Sequence, residues 1–309
     1  MNTDEHGCLG VRARGWDVAR HLCLSVLICG SLAFSSTESA AAPITLKDDL
    51  GRTVELKSPA LRIVTLAPFL TELAFAAGAG NRVVGVSAYS DYPPQARNLP
   101  VVSSAAGLSI EPLAALRPDL VIAWRDSFRT EDIARIADFG AAVYVAQGRR
   151  LDDVPRLLRA IGMATGIGVS APVSAFEREV ASLRATYSGK TRIDAFLEIW
   201  HRPLTTISGG HFMNDAIELC GARNVFKDLA GVAPQVAWEE VYARDPFVIV
   251  GTGSAANEAE FRENWKERST LAAVRSGRLV WADADTLQRP TTRTPQGIRR
   301  LCAALDRAR

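Results

Sequence analysis

Few side chains in this sequence could take part in acid–base, nucleophilic or metal chemistry. Of four histidines and five cysteines in 309 residues, only His201, His211, Cys220 and Cys302 lie beyond residue 41. The two histidines lack a metal-binding spacing such as His-x-x-x-His, and neither a Gly-x-Ser-x-Gly elbow nor a Gly-x-x-x-x-Gly-Lys-Ser/Thr loop occurs. We therefore expect no catalytic residue, no resident metal and no cofactor, although a pair of carboxylates stays open as an acid–base alternative.

His201 directly follows a predicted strand, residues 194–200. At a strand end it could reach a bound ligand, including a metal within that ligand. The alternative is an ordinary loop histidine.

Two glutamates stand in a segment that occurs twice. Glu111 precedes Pro118 and the apolar run 120–123, and Glu239 precedes Pro246 and the apolar run 248–250, with seven positions from glutamate to proline in both copies. A helix-plus-strand unit in each half predicts two similar lobes, and a cleft between lobes favours capture of a small ligand. From the local sequence alone, each carboxylate stabilises the start of a helix, with Ser109 as the N-cap of the first.

The first 41 residues have the order of a secretory signal peptide. Three arginines precede an uncharged apolar stretch at 22–34, which is followed by small residues up to a cleavage site near Ala41. A buried N-terminal helix is the alternative. An exported chain with one remaining pair of cysteines predicts a disulfide between Cys220 and Cys302, with two buried free thiols as the other possibility.

The elements that must position these residues alternate between strand and helix. The formal net charge of +2 is not that of a nucleic-acid-binding protein. Short apolar runs at 62–67, 83–87, 120–123, 143–145, 194–200, 247–250 and 278–282 predict buried strands, with a short helix opening at Thr71 after the first. Parallel strands covered by helices give an α/β fold.

One longer helix separates the two groups of strands. Phe176, Val180, Leu183 and Tyr187 recur at helical spacing within it. The sequence therefore predicts two parallel-sheet α/β lobes joined by one long α-helix. The predicted boundaries are a signal peptide at 1–41, an N-terminal lobe at 43–165, a linking helix at 166–189 and a C-terminal lobe at 190–309.

Five stretches carry a resemblance to a known family: residues 71–78, 84–96, 118–125, 224–228 and 234–236. On these, the chain from about residue 50 resembles the periplasmic binding proteins whose two α/β lobes are joined by one helix. The Tyr-Ser-Asp-Tyr-Pro-Pro-Gln-Ala run at 89–96 and the Ile-Ala-Trp-Arg run at 122–125 are most similar to the cobalamin-binding branch. The resemblance implies a periplasmic protein, not an enzyme, that captures a corrinoid and delivers it to the permease of an ABC transporter.

Residue roles follow from the same resemblance. Tyr89 and Trp124 match positions at which aromatic rings lie against the corrin, whose apolar face rewards rigid aromatic area. Polar contacts from the other lobe are implied for the segment Asp285, Thr286, Leu287, Gln288 and Arg289. Cys220 and Cys302 match the family's disulfide pair.

Glu111 and Glu239 match the family's two docking charges, one on each lobe, which pair with arginines of the permease. The resemblance thus implies membrane contact only through the transporter, and a monomer. Two such charges would orient the protein on the permease and raise the rate of association more than they would raise the affinity.

The sequence also departs from the cobalamin-binding pattern. Ala105 and Ala233 stand where tryptophans are expected, and an aromatic position is matched near Leu204. Trp200, Phe212 and Trp238 are candidates to compensate. The sequence therefore leaves open a corrinoid precursor without the nucleotide loop, haem or a ferric siderophore as the ligand, and, more distantly, a periplasmic enzyme.

Overall fold

Strands alternate with helices along residues 43–309, the part of the chain that this computed structural model describes. The predicted signal peptide at 1–41 lies outside the described residues. The first two strands, β1 (Ile44–Lys47) and β2 (Thr53–Leu56), form a separate antiparallel pair. Within residues 43–309, no helix combines the length and the apolar character needed to cross a membrane.

A six-stranded sheet forms the first half of the fold. Its strands are β3 (Ile63–Thr65), β4 (Val83–Ser87), β5 (Val101–Ser104), β6 (Gly107–Leu108), β7 (Leu120–Trp124) and β8 (Ala142–Ala146), in the spatial order β6-β5-β4-β3-β7-β8. All neighbours are parallel except β5 and β6. The central strands are buried on both faces, which explains their continuous apolar runs.

Four helices accompany this sheet: α1 (Pro68–Ala76), α2 (Ile110–Ala115), α3 (Asp132–Ala137) and α4 (Asp153–Thr165). The prediction that a helix opens at Thr71 was wrong, because α1 begins at Pro68. Proline is favoured in the first turn, where its missing N–H would have no helical partner. The predicted strands form in both halves, with ends that differ by up to three residues.

A four-stranded, fully parallel sheet forms the second half. Its strands are β9 (Ile193–Glu198), β10 (Ala222–Asn224), β11 (Val248–Gly253) and β12 (Leu279–Asp283), in the order β10-β9-β11-β12. Its helices are α6 (Phe212–Leu219), α7 (Trp238–Arg244), α8 (Glu258–Lys266), α9 (Ala272–Arg275), α10 (Ala284–Leu287) and α11 (Thr294–Ala308). The two parallel sheets confirm the predicted fold class.

Between the sheets runs α5 (Ser170–Tyr187), an 18-residue helix. Its buried residues are Val173 and the four residues that the spacing singled out, Phe176, Val180, Leu183 and Tyr187. It packs against α4 of the first half and against α6 and α11 of the second half. The halves at 43–165 and 190–309, bounded as the sequence predicts, are called lobe one and lobe two below.

The repeated segment occupies the same place in each lobe. α2 leads into β7 beside β3, and α7 leads into β11 beside β9. Each copy has a left-handed residue directly before its proline, Arg117 (φ 47°) before Pro118 and Asp245 (φ 33°) before Pro246. Because this conformation is uncommon for residues with side chains, its recurrence supports a true structural repeat.

A disulfide joins Cys220, just after α6, to Cys302 in α11. The predicted pairing is therefore confirmed, and both sulfur-bearing residues are fully buried. The bond closes a loop whose ends are 82 positions apart. It ties the C-terminal helix to the helix that precedes β10.

Candidate ligand-binding cleft

Both parallel sheets contain a point at which the strand order reverses. In lobe one the chain runs from β3 outward to β4 and β5, and then returns to β7 on the other side of β3. In lobe two it runs from β9 to β10 and returns to β11. In open α/β sheets, small molecules bind beyond the carboxyl ends of the strands at such a point. Each lobe therefore presents one crevice.

Three cavities follow one another along these strand ends. A cavity of about 330 Å³ in lobe one has Tyr89 and Trp124 in its wall. A cavity of about 470 Å³ in lobe two has Glu198, His201 and Gln288 in its wall. A third, of about 150 Å³, lies between them and shares Trp124 with the first and Gln288 with the second. The third cavity shares a wall residue with each of the other two, and the three together are called the interlobe cleft below.

Tyr89 lies on the turn after β4, with 82% of its surface exposed. Its φ of 63° is in the left-handed region, which a residue with a side chain rarely adopts. Buried hydroxyls hold the turn: Thr71 Oγ1 donates to Ser90 Oγ at 3.0 Å, and it also lies 2.7 Å from Thr65 Oγ1. Ser87 Oγ completes the group at 3.2 Å from Ser90 Oγ. The turn therefore presents a preorganised aromatic ring at the rim of lobe one.

Trp124 is the last residue of β7 and is half-buried. Its ring meets Phe69 of α1 edge to face, with centroids 5.8 Å apart. Because this contact fixes the indole at the junction of two cavities, Trp124 offers an apolar wall to whatever occupies the cleft.

The predicted polar segment of lobe two includes α10 and the turn that follows it. Asp285 is exposed, and Gln288 lies in the walls of two cavities. Thr286 is 4% exposed and donates to Asp283 Oδ2 at 2.7 Å, and Leu287 is 1% exposed. The side chains of Thr286 and Leu287 therefore anchor the segment, that of Gln288 lines the cavities, and the carboxylate of Asp285 lies 3.2 Å from Arg289 Nη2.

Arg289, the last residue of that segment, crosses to lobe one. It donates to Asp91 Oδ1 at 2.8 Å and to Glu72 Oε1 at 3.1 Å. Arg293 donates to the same carboxylate, Nε to Oε2 at 2.9 Å and Nη2 to Oε1 at 2.7 Å, and its guanidinium lies 3.8 Å from the ring centroid of Tyr92. The side chain of Glu72 is 2% exposed. These five residues, called the clasp below, connect the two lobes.

The carboxylates of the clasp stabilise the charges of its two arginines. Burial disfavours the charge of Arg293, but its hydrogen bond to Glu72 and the surrounding negative charge outweigh burial and raise its pKa above the ordinary value. The pKa of Arg289 is raised in the same way: burial opposes the charge, and hydrogen bonds to Asp91 and Glu72 more than compensate. Both guanidinium groups therefore stay charged across the cleft.

Glu198 closes β9 and is the buried carboxylate of lobe two, at 6% exposure. Its Oε2 accepts from Trp265 Nε1 at 2.7 Å, and its Oε1 lies 3.1 Å from His201 Nδ1. Desolvation raises its pKa to about 7, against the opposing effects of the Trp265 hydrogen bond and the charge of Arg268. Desolvation also lowers the pKa of His201, together with the charges of Arg268 and Arg202.

The three compensating aromatics differ in exposure. Trp200 is 65% exposed in the wall of the lobe-two cavity, with its Nε1 donating to Arg202 O at 2.9 Å. Trp238 is half-buried beneath the guanidinium of Arg268, 3.6 Å from the ring centroid. Phe212 is buried and forms part of the wall of the smallest cavity. Trp200 is therefore the counterpart in lobe two of the exposed ring of Tyr89.

The three positions that depart from the cobalamin-binding pattern lie in different surroundings. Ala105 lies in the wall of the lobe-one cavity, and Ala233 is exposed on the loop before Pro234. Leu204 is 5% exposed and packs in a core cluster with Phe196. Leu204 therefore belongs to the core of lobe two, whereas Ala105 leaves free space in the cleft.

His211 lies in the wall of the smallest cavity and caps α6, where its Nδ1 accepts from Met213 N at 3.1 Å. Desolvation lowers its pKa to about 4, with Asp126 acting in the opposite direction and Arg149 in the same one. The imidazole is therefore neutral at ordinary pH.

Sequence reasoning missed Glu72, Glu198 and Arg293. Glu72 interrupts the apolar run of α1, and Glu198 ends the apolar run of β9. A charged residue within an apolar run is rarely buried without a partner, so both were detectable as candidates. The sequence around Arg293 gave no such signal, because Glu72, the carboxylate with which it pairs, is 221 positions away.

Glu111 and Glu239 lie in the first turns of α2 and α7, and both are exposed. Within residues 43–309 neither forms an ion pair. Ser109 is the N-cap residue of α2, as the sequence predicts, although its side chain accepts no hydrogen bond from the helix. The two carboxylates thus stand at equivalent, accessible places in the two lobes.

Comparison with known proteins gives a consistent result. Residues 63–286 match the periplasmic binding protein family. The chain is 35% identical over 251 residues to a vitamin B12-binding protein of Vibrio cholerae, covering 80% of this chain and 90% of that protein. It is 34% identical over 217 residues to a vitamin B12-binding protein of Pectobacterium carotovorum, covering 69% and 79% respectively.

Solved structures agree. The crystal structure of the periplasmic vitamin B12 binding protein BtuF of Vibrio cholerae has a TM-score of 0.74 at 34% identity, covering 81% of this chain and 98% of that one. A periplasmic heme-binding protein, BhuT, in complex with two hemes has a TM-score of 0.69 at 25% identity, covering 80% and 100%.

Proposed function

We propose that this chain, which belongs to the periplasmic binding protein family, captures a corrinoid in the interlobe cleft and delivers it to the permease of an ABC transporter. The observation that carries the proposal is the cleft itself, which joins the strand-end crevices of both lobes and has an exposed aromatic ring at each rim. We propose that the protein acts in the periplasm as a monomer and catalyses no reaction.

The chemistry of the cleft suits a flat macrocycle with a polar fringe. Tyr89 and Trp200 present rigid aromatic surface from opposite lobes, and Trp124 adds an apolar wall between them. A corrin face gains from such contacts, whereas its amide groups need hydrogen-bond partners once water is removed. We assign these contacts to Gln288, which lines two of the cavities, and to the neighbouring residue Asp285.

The choice between corrinoids depends on the space beside Ala105. Ala105 leaves free space in the lobe-one cavity where a cobalamin binder has a large ring. A corrinoid without its nucleotide loop, or cobalamin in a shifted position, would both use that space. Haem is the second candidate, because a heme-binding relative shares the fold, and a ferric siderophore is a more distant one.

Calorimetric titration of the purified protein with cobalamin, cobinamide and ferric haem tests the proposal. We expect tight binding of at least one of the two corrinoids and weaker binding of haem. Preference for haem would change the ligand class, and no heat of binding with any of the three would overturn the proposal.

A single substitution connects that affinity to the cleft. Trp124→Ala should weaken corrinoid binding at least about tenfold, or about 1.4 kcal/mol, because it removes aromatic contact area. Tyr242→Ala is the matched control, since Tyr242 is an exposed ring, at 39%, on α7 outside the three cavities. Equal affinities for the two variants would remove Trp124 from the site.

Docking to the permease is assigned to Glu111 and Glu239. One carboxylate on each lobe, exposed and at equivalent positions, could meet two arginines of a two-fold symmetric partner. Reversal of both to Lys should leave ligand affinity within about twofold and abolish uptake by like-charge repulsion.

The competing explanation is that these carboxylates only stabilise helix starts. That role predicts a loss of about 0.3 to 1 kcal/mol per site with uptake preserved. Glu240→Lys is the matched control, because Glu240 lies in the same first turn of α7. Normal uptake by a folded double reversal, or equal loss of uptake in the control, would refute the docking role.

A further inference from the structure

A buried carboxylate holds one ring nitrogen of His201. Its Nδ1 lies 3.1 Å from Glu198 Oε1, and the other oxygen of that carboxylate accepts a 2.7 Å hydrogen bond from Trp265 Nε1. Trp265 is fully buried, so the direction of its N–H is fixed by packing. When Glu198 is a carboxylate, Nδ1 of the neutral imidazole carries the proton and Nε2 carries the free lone pair.

The second nitrogen, Nε2, is not engaged by the described protein. Within residues 43–309 the only hydrogen-bond contact of the ring is through Nδ1, and Nε2 is not among the buried polar atoms that lack a partner. Nε2 is therefore not sealed from solvent, and the side chain, which is 15% exposed, lines the cavity of about 470 Å³. Metal-binding histidines have this arrangement, with a carboxylate on the far nitrogen that fixes the tautomer and the ring orientation.

The surroundings limit which metal such a histidine could bind. Among the described residues, no group of three His, Cys, Asp or Glu side chains could hold a metal ion. A single imidazole supplies one of the four or more ligands that a free ion needs. It suffices for a metal whose other positions are already filled by a macrocycle, and exposed Trp200 in the same cavity wall offers surface for the macrocycle's face.

We propose that His201 coordinates the cobalt of the bound corrinoid through Nε2, and that Glu198 is the positioning residue for this bond. The inference rests on the proposed function and names the axial ligand within the same cleft. The step is a ligand substitution: the Nε2–cobalt bond forms, the bond between cobalt and an axial water breaks, and the water leaves. No electron is transferred.

Cobinamide is the probe of choice, because it lacks the nucleotide base that could itself supply a nitrogen ligand. In the electron paramagnetic resonance spectrum of the protein with cobalt(II) cobinamide, a coordinated nitrogen splits the cobalt lines into triplets. Labelling histidine with the heavy nitrogen isotope should convert these triplets to doublets. His201→Ala should abolish the splitting, which assigns the coordinated nitrogen to His201 and not to His211.

Glu198→Gln tests the positioning role without removing the imidazole. Because Trp265 Nε1 must donate to an oxygen, the amide NH₂ of the glutamine would face Nδ1 of His201. The ring would then carry its proton on Nε2 and lose the free lone pair there. We expect loss of the nitrogen splitting and a fall in cobinamide affinity of about 10- to 100-fold, whereas a purely structural Glu198 would leave the splitting intact.

The outcomes separate the inference from the proposed function. Calorimetry that detects no corrinoid binding by the unsubstituted protein overturns the proposed function. Tight binding without nitrogen splitting, or splitting that persists in His201→Ala, overturns the coordination while leaving the proposed function in place. Circular dichroism melting of each variant confirms that a lost signal does not reflect unfolding.

Discussion

The clasp between the lobes should make a large contribution to stability, and Glu72→Gln tests it. Glutamine keeps the size of the side chain and removes the charge that faces Arg289 and Arg293. After the substitution, Arg293 loses its only carboxylate partner within residues 43–309, whereas Arg289 keeps Asp91 at 2.8 Å. The perturbation therefore leaves the guanidinium of Arg293 without a direct ion-pair partner in a largely buried site, with Asp285 as the remaining nearby negative charge.

The magnitude follows from the exposure of the three side chains. Removing one partner of a buried ion pair costs about 3 to 5 kcal/mol. The carboxylate of Glu72 is 2% exposed, but the guanidinium side chains of Arg289 and Arg293 are 18% and 20% exposed, so water relieves part of the cost. We expect the free energy of unfolding to fall by about 2 to 4 kcal/mol.

Equilibrium unfolding in urea measures this loss, with Glu177→Gln as the matched control. Glu177 pairs with Arg159 at 2.6 Å, but these side chains are 48% and 52% exposed. An exposed pair of this kind contributes about 0 to 1 kcal/mol. A double-mutant cycle of Glu72→Gln with Arg293→Gln should return a coupling energy of about 1 to 3 kcal/mol.

Two results would refute this reasoning. A loss for Glu72→Gln no larger than that of the control would mean that the clasp is energetically equivalent to a surface pair. A more stable variant would mean that the cost of desolvating the charges exceeds their attraction, as occurs in some buried ion pairs.

Three further predictions concern the covalent link, a buried histidine and the free space in the cleft. Replacing Cys220 and Cys302 together by Ala should lower the free energy of unfolding by about 2 to 5 kcal/mol, and the mass of the non-reduced protein should be lower than the thiol form by two hydrogens. The pKa of His211 falls from 6.5 to about 4 on folding, so the unfolded chain binds more protons between these values and stability should decrease as pH falls through that window, by about 3 kcal/mol in total. His211→Asn keeps an N-cap acceptor, so a wild-type curve that is no steeper than that of the variant would contradict the assignment. Ala105→Trp should tighten cobalamin binding, measured by calorimetry, and weaker binding would show that the ligand itself fills that space.

Local pattern predicted most of the fold. The apolar run of β7 required burial on both faces, and the spacing from Phe176 to Tyr187 required one buried face of a helix. Both patterns are properties of residues that are close in the chain, so the sequence alone is enough to predict these two elements. The start of α1 was less accessible, because Pro68 is compatible with either a turn or a first helical turn.

The sequence singled out Tyr89 and Trp124 only through the resemblance to a known family, because an aromatic residue near a strand end is by itself more often structural. The structure places both in cavity walls, and their role in binding stays a prediction. The clasp instead joins Glu72 to residues more than 200 positions later, a pairing that depends on how the lobes meet. The contact between Glu198 and His201 is local, but it depends on a turn after β9 that has no helical or strand period.

The repeated segment and the clasp both bear on the distance and direction between Glu111 and Glu239. Glu111 and Glu239 lie on separate lobes, so the vector between them is set by whatever fixes one lobe against the other. α5 does so behind the cleft through its packing on α4, α6 and α11, and the clasp does so across it through Glu72. In the docking that we propose, a two-fold symmetric permease contacts both charges at once, so a change in their separation should impair docking even when each carboxylate is intact. The clasp therefore links the geometry of the cleft to the separation of the two carboxylates that we propose as docking charges.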